Sequence, residues 1–143
     1  MTLRVLIAKA GLDGHDRGAI ILTRGLREQG LNAVFSGVRR TPEEIAKMAA
    51  DGEFDCIGLS SHAGAHLTLF PRVVNSLRTA GWRGRLLIAG GLIPAEDVPP
   101  LLQAGIDAVF PPDIDIPAVA AYIRSAAGSS RETFIARHMT AGR

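Results

Sequence analysis

Residues 3–18 read Leu-Arg-Val-Leu-Ile-Ala-Lys-Ala-Gly-Leu-Asp-Gly-His-Asp-Arg-Gly, an apolar run followed by a glycine-rich loop. The run Leu3–Ala8 is apolar almost throughout, which is typical of a strand buried on both faces of a parallel sheet. The segment Arg17–Gln29 that follows has apolar residues at helical spacing and ends before Gly30, a common helix stop. This stretch therefore predicts a strand joined by a long loop to a helix.

The same rhythm of strand and helix continues along the chain, five units in all. The other predicted strands are Leu31–Ser36, Phe54–Ser60, Arg85–Ala89 and Ala108–Phe110. The other predicted helices are Pro42–Ala50, Leu67–Ala80, Ala95–Ala104 and Ile116–Ala127. We expect an α/β fold, a flavodoxin-like doubly wound five-stranded parallel sheet, formed by residues 1–128. Residues 129–143 are predicted to be a C-terminal tail that is either frayed or forms a short docking helix.

Composition narrows the class of protein. The 143 residues are 47% hydrophobic, enough for a core, and the net charge of +2 gives no reason to expect nucleic acid or a membrane surface as partner. The single cysteine, Cys56, excludes a disulfide framework and fits a reducing compartment; we expect it in the core. The apolar start ends at Lys9, too early for a signal sequence or a membrane span. The sequence predicts a soluble cytoplasmic protein.

The loop after the first predicted strand is longer than a scaffold needs. Its three glycines would let the backbone approach a ligand, but Gly11, Gly14 and Gly18 do not match the dinucleotide fingerprint, and no Gly-Lys-Ser/Thr follows. A phosphate cradle is therefore poorly supported.

His15 is the chemically distinctive residue of this loop. It follows Asp13 by two positions, which suits a metal-bound imidazole whose second ring nitrogen is held by a carboxylate, and Lys9 could extend that chain. The alternative is an exposed loop histidine with Asp13 capping the next turn. One histidine cannot build a zinc site, so a metal would have to arrive with its other ligands.

The run from Asp13 to Gly18 resembles the Asp-x-His-x-x-Gly motif of the cobalamin-binding domain, and the wider run from Lys9 resembles the acyl-CoA mutase branch of that family. The resemblance covers nearly the whole chain. It implies that His15 is the lower ligand to the cobalt of cobalamin, that Asp13 hydrogen-bonds it, and that Lys9 continues the relay. The other motif residues with an implied cofactor-binding role are Gly14, Asp16, Arg17 and Gly18.

Two further motifs of the family follow the third and fourth predicted strands. Ser60 matches the Ser-x-Leu motif, where His62 replaces the leucine, and Gly90-Gly91 matches the Gly-Gly motif. The resemblance implies that Ser60, His62 and this Gly-Gly pair line the slot for the nucleotide tail of the cofactor. After the fifth strand the family often has Gly-Pro-Gly-Thr, whereas residues 111–114 read Pro-Pro-Asp-Ile. His66 is a further candidate, with the start of a helix as its alternative role.

The resemblance implies the adenosylcobalamin-binding small subunit of a two-subunit acyl-CoA mutase. A separate large barrel subunit would bind the acyl-CoA, in a heterotetramer, and a cofactor-derived radical would rearrange the carbon skeleton of methylmalonyl-, isobutyryl- or 2-hydroxyisobutyryl-CoA. No catalytic residue is assigned to this chain itself.

Two other interpretations remain open. The first is a non-catalytic corrinoid carrier or cobalamin sensor, although carriers usually place a helical domain before this fold and the first strand here begins at Leu3. The second is a cofactor-free flavodoxin-like or receiver-like interaction domain. A receiver should show an acidic pair after the first strand, which is not convincing here.

Overall fold

The computed structural model describes residues 2–11, 14–61, 64–128 and 131–141, and its core is a five-stranded sheet. The strands are β1 (Arg4–Ala8), β2 (Asn32–Phe35), β3 (Cys56–Ser61), β4 (Leu86–Gly91) and β5 (Ala108–Val109). All neighbours pair in parallel, in the order β2-β1-β3-β4-β5. The predicted doubly wound parallel sheet is confirmed, and each predicted strand end lies within two residues of the observed one.

Helices connect the strands and cover both faces of the sheet. They are α1 (Arg17–Glu28), α2 (Pro42–Asp51), α3 (His66–Ala80), α4 (Val98–Ala104), α5 (Ile116–Ala126) and α6 (Phe134–Ala141). Within the described ranges, none of them has the length and hydropathy needed to cross a membrane.

The helix predicted from Ala95 is wrong in one respect: residues 95–97 form a separate 3₁₀ turn before α4. Pro99 and Pro100 have no N–H to donate to the carbonyls of residues 95 and 96, so α-helical bonding cannot run continuously from Ala95. Prolines are tolerated in the first turn of a helix, where donors lack partners anyway, and α4 therefore begins at Val98.

Alternation along the strands divides the core into two layers. Leu6, Ile57 and Leu87 face the layer under α2, α3 and α4, whereas Val5 and Leu86 face the layer under α1 and α5. Cys56 is fully buried in the second layer, and burial raises the pKa of its thiol, so it serves packing rather than reactivity.

Helix α6 packs at the edge of the sheet where the strands begin. Phe134 is fully buried, with its ring centroid 5.6 Å from that of Trp82. Arg137 Nη1 lies 2.7 Å from Asp107 Oδ1, just before β5. The tail thus contributes a docked helix, while the division of the chain at residue 128 stays a prediction.

Candidate functional site

The strands end at the opposite edge, where ligands of doubly wound sheets bind. Ser60 pairs with Gly90 and Ser61 with Gly91 in the β3–β4 register, and β1 leads into Lys9 one strand away. Residues predicted from three separate motifs are therefore neighbours at the carboxyl edge of the sheet.

Lys9 joins the ends of the central strands. Its side chain is fully buried, and its Nζ lies 3.4 Å from Ser60 Oγ. The backbone N–H of Lys9 donates to Ser36 Oγ (3.3 Å), and its carbonyl accepts from the N–H of Arg40 (3.3 Å). Because a buried amino group is costly without partners, these bonds fix Lys9 and the ends of β1, β2 and β3 together.

A cleft of about 200 Å³, open to solvent, lies between the sheet and helices α1 and α5. It is lined by Ile7, Gly18, Ala19, Ile21, Leu22, Gly58, Leu59, Ser60, Ile88, Ala89, Gly90, Gly91, Phe110, Pro112, Ile114, Ile116 and Val119. Within the described part of the chain, Ser60 is the one lining residue with a polar side chain. A mostly apolar pocket with one fixed polar group is a common form of small-molecule site.

A side chain would have a different effect at each of three glycines that line the cleft, Gly58, Gly90 and Gly91. A Cβ on Gly58 would lie 3.0 Å from Ile7 Cδ1, and one on Gly90 would meet nothing nearer than the carbonyl oxygen of Phe110, at 3.6 Å. Gly91 instead has φ +109°, and a Cβ there would lie 2.2 Å from the carbonyl oxygen of Ser61. The fold therefore requires glycine at position 91, whereas glycine at position 90 leaves free space at the cleft.

The motif loop presents His15 to solvent at this edge. His15, Asp16 and Arg17 are exposed, and the exposed Gly18 lines the cleft at the start of α1. The predicted site residues Asp13 and His62 lie outside the described residues. The exposed imidazole of His15, three residues before the cleft-lining Gly18, is accessible to a ligand.

No group of three histidine, cysteine or acidic side chains able to hold a metal ion occurs in residues 2–11, 14–61, 64–128 and 131–141. A metal bound by His15 would therefore have to bring most of its other ligands with it.

The residues that depart from the expected motif after β5 also reach the cleft. Phe110, Pro112 and Ile114 line it, and the Phe110 ring is held edge-on by Tyr122, with centroids 5.5 Å apart. These three side chains are apolar, whereas the motif that the family often has here, Gly-Pro-Gly-Thr, ends in a hydroxyl-bearing threonine.

Sequence reasoning missed two parts of the edge. The helical spacing of the apolar residues in α1 and α5 does not indicate a ligand site, although Ile21 is 53% exposed at the cleft. The contact of Asp97 with His66 was not predicted either. Asp97 Oδ2 lies 2.7 Å from Nε2 of the buried His66, and the two residues are 31 positions apart in the sequence. The adjacent residues Ile20 and Ile21 make the apolar face of α1 wider than a helix needs for core packing, and this was the available signal for the wall of the cleft. No local signal marks the contact of Asp97 with His66.

Comparison with known proteins adds a family assignment. The sequence profile described as the B12 binding domain matches residues 3–126. The chain is 40% identical over 123 residues to the 2-hydroxyisobutanoyl-CoA mutase small subunit of Aquincola tertiaricarbonis, covering 86% of this chain and 90% of that protein. It is also 40% identical over 117 residues to a probable mitochondrial methylmalonyl-CoA mutase of Caenorhabditis elegans, covering 82% of this chain but 16% of that protein.

Solved structures share the fold at lower identity. A cobalamin-binding protein from Desulfitobacterium hafniense DCB-2 superposes with a TM-score of 0.74 at 19% identity, over 89% of this chain and 60% of that one. The receiver domain of the putative response regulator NarL from Mycobacterium tuberculosis gives 0.68 at 15% identity, over 90% and 98%. At these identities the likeness concerns the fold alone.

Proposed function

The chain belongs to the B12-binding domain family, and from that premise we propose that it is the cobalamin-binding small subunit of an acyl-CoA mutase. The observation that carries this proposal is the apolar cleft at the carboxyl edge, opening beside the loop that bears His15. The match to a mutase small subunit over 90% of its length supports the same assignment.

The site fits cobalamin in three respects. A corrin ring brings its own nitrogen ligands to cobalt, which suits the exposed imidazole of His15, since the described residues include no cluster of three ligating side chains. The nucleotide tail carries a flat aromatic base, which suits the apolar cleft. The missing Cβ of Gly90 leaves room for that tail against the strand.

We assign the cofactor contacts accordingly. His15 would be the lower ligand to cobalt, with Asp13 and Lys9 setting the orientation and basicity of its ring. The rest of the loop would follow the corrin through Gly14, Asp16, Arg17 and Gly18. The tail would contact Ser60, His62, Gly90 and Gly91.

When bound, adenosylcobalamin supplies the carbon-centred radical on which such mutases depend. This chain would hold the corrin and its tail: Lys9 contacts Ser60, and the walls of the cleft would exclude water from the tail. The catalytic partner would be a large barrel subunit that binds the acyl-CoA, in a heterotetramer in the cytoplasm. Its substrate would be methylmalonyl-, isobutyryl- or 2-hydroxyisobutyryl-CoA, and the Aquincola relative favours the last.

Electron paramagnetic resonance of cob(II)alamin tests this proposal. The full chain, labelled with nitrogen-15, is compared as wild type, His15→Ala and His138→Gln, which changes a histidine on α6 at the opposite edge of the sheet. Since nitrogen-15 splits each cobalt hyperfine line into a doublet, we expect doublets from labelled wild type and His138→Gln but not from His15→Ala.

If the chain alone binds no corrin, the experiment is repeated with an acyl-CoA mutase large subunit present. Splitting from benzimidazole in wild type, or no bound corrin in either setting, would contradict the proposal. Binding with protein nitrogen on cobalt but no isomerisation of any of the three acyl-CoAs with a large subunit would favour the carrier or sensor interpretation.

A further inference from the structure

A polar pair, formed by a buried histidine and a partly exposed carboxylate, lies on the face of the sheet opposite the cleft. His66 begins α3 and is 3% exposed; its Nε2 lies 2.7 Å from Asp97 Oδ2, and its Nδ1 lies 3.4 Å from Ser61 Oγ. Phe70 packs against the ring, with centroids 6.2 Å apart. Because a carboxylate has no hydrogen to give, the His66 Nε2–H donates to Asp97.

The pair connects three segments at the carboxyl edge. Ser61 is the last residue of β3, His66 the first of α3, and Asp97 closes the 3₁₀ turn after β4. The first of these segments also supplies Ser60 to the cleft, and the third follows β4, which supplies Gly90 and Gly91. Ser61, which His66 contacts, is therefore the neighbour of the cleft residue Ser60 along β3.

The connection from β4 to α4, residues 92–97, is held at both ends. At its start the N–H of Leu92 donates to the carbonyl of Ser61 (2.8 Å). At its far end Asp97 is held by His66. Between these points Leu92 is 55% exposed and residues 94–96 are exposed as well, whereas Ile93 is partly buried against the core. Ile93 is therefore the one side chain between Leu92 and Asp97 that packs against the core, and the bond to His66 fixes the far end of the connection.

Stability alone is a weak reason for such a pair. A histidine and a carboxylate taken out of water lose hydration, and an apolar pair of similar volume often stabilises a protein as well. What the polar pair adds is a directional bond that selects one position of the connection.

On the basis of the proposed function, we propose that His66 is a positioning residue for cobalamin binding. Through its bond to Asp97 it holds residues 92–97, and with them the end of β4 at Gly90 and Gly91, in the arrangement that receives the cofactor. His66 does not touch the cofactor itself.

The test compares cob(II)alamin affinity and local hydrogen exchange in full-length variants. His66→Leu and Asp97→Ala each remove the bond, and the double variant removes both partners. His66→Gln keeps an amide N–H near the position of Nε2, and Glu96→Ala changes an exposed acid of the same turn as a matched control. Amide exchange of residues 92–97 is measured without cofactor, and thermal unfolding reports on the fold.

We expect His66→Leu and Asp97→Ala to weaken cob(II)alamin binding roughly tenfold, with faster exchange at residues 92–97. The double variant should be no weaker than either single one, because the two side chains act as a pair. His66→Gln should restore most of the affinity, and Glu96→Ala should leave it unchanged. If His66→Leu fails to fold, Asp97→Ala, on a partly exposed side chain, carries the test.

If Asp97→Ala binds cob(II)alamin as tightly as the wild type, or if His66→Gln does not restore affinity, this inference is overturned. The proposed function is unaffected by that result as long as the wild-type protein binds cob(II)alamin. Absence of binding by the wild type, with and without a large subunit, would overturn both.

Discussion

Gly90 and Gly91 are adjacent in sequence but are glycine for different reasons. At position 91 the backbone has φ +109° and a Cβ would lie 2.2 Å from the carbonyl oxygen of Ser61. At position 90 a Cβ would have no neighbouring atom closer than 3.6 Å. Gly91 is needed for the pairing of β3 and β4, and Gly90 for an open cleft.

This difference gives a paired prediction. Gly90→Val should fold with nearly wild-type stability, because β-branched residues suit strands, but should weaken cobalamin binding at least roughly tenfold by filling the cleft. Gly91→Ala should lower the free energy of unfolding by at least about 2 kcal/mol through backbone strain and overlap with Ser61. Urea denaturation and cob(II)alamin titration measure the two effects. Wild-type affinity in Gly90→Val would show that the tail binds elsewhere.

At the scale of single elements, α2 has the most complete helix cap. Thr41 Oγ1 accepts from the N–H of Glu44 (3.0 Å), and Glu44 Oε1 accepts from the N–H of Thr41 (2.9 Å), with Pro42 at the first helical position. Such reciprocal capping satisfies two donors that a helix start leaves without partners.

We predict that Thr41→Ala lowers the free energy of unfolding by about 1 kcal/mol at neutral pH, whereas Thr41→Ser, which keeps the hydroxyl, changes it little. The Thr41 backbone N–H, and then its hydroxyl, lower the pKa of Glu44. The contribution of Glu44 is therefore present above its unfolded pKa and is lost as the pH falls through the lowered folded value. Urea denaturation across the acidic range should show a Glu44→Gln variant losing less stability than wild type.

Helix α6 is joined to the domain mainly by Phe134 and Arg137. Phe134 is fully buried against Trp82, and Arg137 pairs with Asp107. We expect Phe134→Ala to cost about 3 to 5 kcal/mol of stability, and Phe134→Leu clearly less. Since α6 lies at the edge remote from the cleft, the cob(II)alamin affinity of the folded fraction should not change. A loss of affinity beyond the unfolded fraction would contradict this separation.

The elements were largely predictable from the sequence, because buried parallel strands are continuous apolar runs and helix ends carry caps such as Thr41 and Gly30. The closeness of Lys9, Ser60 and Gly90 could also be predicted from the sequence, because parallel strands end at the same edge of a sheet. What could not be predicted depends on distant contacts. The walls that α1 and α5 give to the cleft have the same apolar spacing as a core, and the Asp97 partner of His66 is 31 positions away.

At the scale of the whole molecule, the two edges of the sheet have separate tasks. The edge where strands begin holds α6, Trp82 and the ion pairs of Asp107. The edge where strands end holds Lys9, Ser60, the glycines and the exposed loop of His15. A mutation can therefore weaken stability at one edge without altering the binding surface at the other.

The apolar lining of the cleft also has a thermal consequence. A ligand that fills it removes from water a surface in which Ser60 is the only polar side chain of the described lining residues. Burial of apolar surface gives binding a negative heat-capacity change. The enthalpy of cobalamin binding, measured by titration calorimetry at several temperatures, should therefore become steadily more exothermic on warming, and Gly90→Val should flatten that slope.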